Sequence, residues 1–98
     1  MTQQEFDKQL SDLAQKYNEI AELLHKTYHS LTLQQAQDAE KNLRIIKVGL
    51  ENMQKSESDY CKKSTRFYNL ITNVEAEHRT YSEKAKALEN GTLQPYEL

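Results

Sequence analysis

The sequence predicts an all-α fold, an antiparallel helical hairpin or coiled-coil-like bundle, and three observations carry that expectation. The chain of 98 residues holds 2 Gly and 1 Pro, where average usage would give roughly 12 of the two together. Strands need turns, and turns draw on Gly, Pro and Asn-Gly pairs, so sandwiches, barrels and α/β folds are close to excluded. Apolar residues recur at alternating spacings of three and four along most of the chain, which is the pattern of a helical seam. Acidic residues also precede basic ones by four positions at Asp12–Lys16, Glu22–Lys26, Glu40–Arg44, Glu51–Lys55, Asp59–Lys63 and Glu75–Arg79, the order that supports an exposed helix face.

The first helix is predicted over residues 2 to about 29. Thr2 and Glu5 have capping-box spacing, in which each satisfies a backbone N–H of the other's turn. The seam then runs Phe6, Leu10, Leu13, Tyr17, Ile20, Leu24 and Leu31, broadened on one flank by Ala14, Ala21 and Tyr28. A first turn is expected in His29–Leu33. Thr32 and Gln35 form a second capping box and open the next helix.

From there the seam runs without a slip from Ala36 to Leu88. One of its columns is apolar or aromatic throughout: Ala39, Ile46, Met53, Tyr60, Phe67, Val74, Tyr81 and Leu88. The other column is polar at Glu57, Ser64 and His78. Asn90-Gly91 is a helix stop, with Gly suited to the left-handed position after the last turn. The expected organisation is one helical domain over residues 1–91 and a short tail over 92–98, which contains Pro95, Tyr96 and Leu98.

Two readings of residues 33–89 compete. An intact seam and the absence of Gly and Pro between residues 50 and 90 favour one unbroken helix, roughly 85 Å long at 1.5 Å per residue. The first helix would cover half of it, and the uncovered half would need another chain. Against this, Gln54–Asp59 is the most polar stretch of the region, and Ser56 and Ser58 are fair N-caps. A break near 56–58 gives three helices that pack as a self-sufficient bundle. The balance tips slightly to the unbroken hairpin.

Composition narrows the function classes. Net charge is −2 and the pI is about 5.9, which gives no general attraction to nucleic acid or anionic membrane. The single Cys61 cannot form an internal disulfide, so a disulfide-stapled secreted framework is excluded. The N-terminus lacks a basic segment followed by an apolar one, and the longest apolar runs are two residues. A membrane partner is not expected, and a cytoplasmic location is, with signal-less export left open.

Ile45 and Val48 point away from the seam that Leu43, Ile46 and Leu50 define. A helix apolar on two sides usually contacts two neighbours. Gly49 on this flank permits close backbone approach, at about 1 kcal/mol in helix propensity. Ile45, Val48, Gly49 and Asn52 are therefore a candidate protein interface; the plain alternative is two isolated exposed apolar residues. If the second helix is unbroken, Tyr60, Phe67, Ile71, Val74 and Tyr81 extend that interface. Six Tyr against two Phe suit either a recognition surface or the wet rim of a narrow bundle.

Other chemistry is weaker. Lys62, Lys63 and Arg66, interleaved with Tyr60, Phe67 and Tyr68, form the only cationic cluster. They would suit single-stranded nucleic acid or an acidic partner, although three charges on a net acidic chain are few. Glu22-x-x-His25 and Glu75-x-x-His78 resemble the paired motifs of di-iron bundles, but Glu22 and His25 fall off the buried face. His25 and His29 could make only a surface clip. Cys61 sits beside two lysines, which can lower a thiol pKa, yet no general base is placed to use it. No phosphate loop, dinucleotide fingerprint or zinc spacing occurs.

The sequence thus points to a non-enzymatic helical protein–protein interaction module: an adaptor, a chaperone-like protein or an inhibitor subunit. It would need no cofactor or metal, and would bind another protein or a second copy of itself, most simply as a homodimer. A small nucleic-acid-binding protein using Lys62, Lys63 and Arg66 is the second reading, and a metal-binding helical bundle is a remote third.

Overall fold

The computed structural model describes residues 2–26 and 31–91. It contains α1 (Gln3–Lys26), α2 (Leu33–Ser56), α3 (Ser58–Lys63) and α4 (Thr65–Glu89), and no strand among those residues. Residues 29 and 30 of the expected first turn and the tail over 92–98 lie outside the described residues, as do Tyr28 and Tyr96; Leu31 and Thr32 precede α2 outside any helix, as that turn requires.

The predicted capping box at Thr32 and Gln35 forms in full, and at Thr2 and Glu5 the backbone-to-Thr half of the box forms. The Glu5 N–H donates to Thr2 Oγ1 at 3.1 Å. The Gln35 N–H donates to Thr32 Oγ1 at 3.1 Å, and the Thr32 N–H returns a bond to Gln35 Oε1 at 2.9 Å. These bonds satisfy N–H groups that the first helical turn leaves without partners. At the far end Gly91 takes φ +74°, a conformation that only Gly adopts without strain.

The long second helix is not continuous. It ends at Glu57 (φ −130°, ψ 46°) and is interrupted again at Ser64 (φ −105°, ψ 105°). The six-residue α3 bridges these two points and turns the chain back on itself. Neither break uses Gly or Pro. Ser64 Oγ accepts the Phe67 N–H at 3.0 Å, so α4 starts with a side-chain cap. Both breaks fall in the polar column of the seam. At those places an uninterrupted helix would have pressed a carboxylate and a hydroxyl into a core.

The reversal lays α4 along α2, its principal neighbour, with α1 packed on α2. Two core clusters follow, one at each end of a bundle 47 Å long. The first joins Phe6 and Leu10 of α1 to Ile46, Leu50 and Met53 of α2, Cys61 of α3, and Phe67, Leu70, Ile71 and Val74 of α4. The second joins Leu24, Leu31, Ala36, Ala39, Leu43 and Ala85. The start of α1 thus meets the end of α2, and so does the start of α4. The helices run up, down, up.

Tyr60, Phe67, Ile71, Val74 and Tyr81 were expected to await another chain if the second helix were unbroken. The break gives them partners within the chain. Phe67, Ile71 and Val74 are buried. Tyr60 stacks on Phe6 with ring centroids 5.3 Å apart, and Tyr81 packs against the second cluster. Among the described residues no polar or charged residue is buried as a whole.

Candidate protein-interaction surface

Helix α2 is the centre of the bundle, and its buried stripe is Ala36, Ala39, Leu43, Ile46, Leu50 and Met53. Ile45 and Val48 lie off that stripe and remain 55% and 47% exposed. Asn52 is exposed one turn further on. Leu23 of α1 is also exposed. It lines a recess at the α1–α2 junction together with Ile20, Asp38 and Asn42. Sequence reasoning did not single out Leu23, which sits one position before the seam residue Leu24 and breaks no periodicity.

Gly49 belongs to a different contact from the one expected. A Cβ on Gly49 would come within 3.3 Å of Leu13 Cδ2. The close approach it permits is therefore between α1 and α2 inside the chain, not to an outside partner. Ile45, Val48 and Asn52 remain as the outward part of the predicted set.

A second concavity lies where α2, α3 and α4 meet. This groove of about 430 Å³ is lined by Gln54, Ser58, Cys61, Lys62, Ser64, Thr65, Phe67, Tyr68 and Ile71. Tyr68 is 66% exposed at its edge. Burial, and the charge of Glu57, push the Cys61 thiol above its usual range. The neighbouring lysines therefore do not activate it, and it stays a protonated, weakly nucleophilic group.

The three residues of the cationic cluster have different surroundings. Lys62 lines that groove. Lys63 lines another recess, with Gln3, Asp59 and Tyr60. The Arg66 guanidinium reaches α1 and donates to Ser11 Oγ at 3.0 Å. The helix break at Ser64 separates Lys62 and Lys63 from Arg66, so helical spacing no longer aligns them.

Two polar links cross the bundle between its core clusters. The Tyr17 hydroxyl of α1 donates to Glu77 Oε1 of α4 at 2.8 Å. His78 Nε2 lies 3.0 Å from Glu40 Oε1 of α2. His78 therefore pairs with Glu40, not with Glu75 as the Glu-x-x-His motif would require. Among the described residues no three His, Cys, Asp or Glu side chains converge as metal ligands. No helix among them is long and apolar enough to cross a membrane.

Burial first, and the bond to Glu77 second, hold the Tyr17 hydroxyl above the usual tyrosine range. Its neutral form is the one the fold favours. The stability it contributes is complete below the unfolded-state value of about 10 and is lost as pH rises past it. Tyr17→Phe is expected to cost about 1–3 kcal/mol at neutral pH, because Glu77 Oε2 is already buried without a partner and Oε1 would join it. The same variant should flatten the alkaline loss of stability, read from urea midpoints between neutral pH and pH 11. An alkaline slope equal to that of the unmutated chain would refute the assignment.

No protein-family model matches the chain, and neither a curated protein nor a solved structure matches it.

Proposed function

We propose that this protein is a non-enzymatic helical interaction module that binds through the outward face of α2. It associates with a second copy or with another helical protein by helix-against-helix packing. The observation that carries this reading is the pair Ile45 and Val48. They are one turn apart on one helix, both about half exposed, while the same helix buries a complete second stripe within the chain. Large apolar side chains grouped on a helix already packed on its other side mark a contact surface.

The surroundings support binding over catalysis. The polar pairs that cross the bundle, Tyr17–Glu77 and His78–Glu40, link helices and do not flank an enclosed cavity. The Lys62, Lys63 and Arg66 set, dispersed over separate recesses, offers no continuous track for a nucleic-acid backbone.

The test is solution mass by light scattering over a range of concentrations. The unmutated chain is expected to associate. Val48→Glu and Ile45→Glu should each lower that mass with helicity retained, since neither side chain is in the core. Mass unchanged in both variants would overturn the assignment of this face.

A further inference from the structure

Resting on that reading, we infer that the occupant of the α2 face is a second copy of this chain, paired antiparallel about a two-fold axis between Ile45 and Val48. The charges along α2 carry the inference. In a parallel, in-register pair the residues nearest the middle of the face meet their own copies, placing Lys41 and Lys55 against like charges, which is destabilising, while Arg44 and Glu51, both on one flank, do not meet theirs. Antiparallel pairing centred between Ile45 and Val48 takes Lys41 and Lys55 away from their own copies, bringing Lys41 level with Asn52 of the second copy and three residues short of its Lys55, and lets Arg44 meet Glu51.

In that arrangement Ile45 lies on Val48 of the second copy. Asp38 is seven residues before Ile45 and Lys55 is seven after Val48, so Asp38 reaches the level of Lys55 in the second copy. Arg44 comes level with Gly49 of the second copy, two residues or about 3 Å from its Glu51. Arg44 and Glu51 lie on the same flank of α2, the side away from α1, and like flanks meet in an antiparallel pair. Two-fold symmetry makes each contact twice. The face is complementary in charge to itself reversed, which is what an isologous interface requires.

The side chains are available for it. Arg44, 57% exposed, pairs within α2 with the part-buried Glu40 at 3.6 Å, and Glu51, 41% exposed, pairs with Lys47 at 3.8 Å. Both distances are long for an ion pair, and the Arg44 and Glu51 side chains are themselves solvent-accessible, so each can turn to a second partner at little cost. Asp38 accepts a bond from Gln34 of its own helix. Lys55 makes no ion pair among the described residues.

The experiment is sedimentation equilibrium over about three decades of concentration, reaching about a millimolar because the apolar centre is small. The unmutated chain should dimerise reversibly. Arg44→Glu and Glu51→Arg should each weaken the dimer about tenfold or more, since each turns two attractions into two repulsions. An equimolar mixture of the two variants should recover the unmutated affinity, because both pairs are then opposite in sign. Asp38→Lys and Lys55→Asp repeat the test at the ends of the face, and far-ultraviolet circular dichroism controls folding. If Val48→Glu abolishes dimerisation but the charge variants have no effect, or their mixture fails to recover it, the antiparallel register is overturned and the α2 face stands. If the unmutated chain is monomeric at every concentration, both self-association and register are overturned.

Discussion

Val74→Asp is expected to unfold the chain at neutral pH. Val74 is fully buried, at 0% exposure, in the cluster that holds α1, α2, α3 and α4 together. A carboxylate there has no cation and no donor to meet it, and an uncompensated charge in such a site costs more than about 4 kcal/mol. Domains of this size have only about 5–15 kcal/mol in total. Far-ultraviolet circular dichroism at neutral pH should show most of the helicity lost, with partial recovery near pH 4, where the new side chain sheds its charge. The result also discriminates between folds. On an unbroken helix awaiting a second chain, Val74→Asp would give a folded monomer. Full helicity at neutral pH would therefore refute the folded-back bundle.

Phe6→Ala is expected to lower stability by about 3–5 kcal/mol. Phe6 is 1% exposed. Its ring stacks on Tyr60 at 5.3 Å and tilts against Phe67 at 6.4 Å. It is the anchor that fastens the start of α1 to the corner formed by α3 and α4. The loss combines removed apolar area, a cavity that the helix backbones cannot close, and the two ring contacts. The urea midpoint should fall accordingly, and hydrogen exchange should quicken most in the first half of α1 and in α3. A change below about 1 kcal/mol would mean that α1 does not dock there.

Most of the fold can be read from the residues themselves. The seam names the buried stripe of α2 from Ala36 to Met53, and the caps at Thr2 and Thr32 place the starts of α1 and α2. Of the ion pairs that helical spacing suggests, Glu22–Lys26 and Glu40–Arg44 form, while Glu51 turns back to Lys47 instead of forward to Lys55. Ile45 and Val48 are outward on the helical wheel and outward in the bundle. Gly49 shows where such reading stops. Its low helix propensity signals a close approach, but only the packing of α1 identifies the neighbour as Leu13. The cationic cluster is a related case. Lys62, Lys63 and Arg66 look contiguous only while the helix through them is assumed to continue.

By itself the sequence determined that the chain is helical, which face of each helix is apolar, where α1 and α2 start and where α4 ends. These properties depend on residue spacing and on hydrogen bonds within a turn. Only the tertiary structure decided whether the apolar column from Tyr60 to Tyr81 is covered by the same chain or by another. A polar residue in a seam can be kept inside a continuous helix as a buried polar contact, or it can mark the place where the helix ends. Local energies scarcely separate these outcomes, because neither break contains Gly or Pro. At Glu57 and Ser64 the difference is set by the apolar surface buried when α4 folds back along α2, a contact between residues distant in the chain.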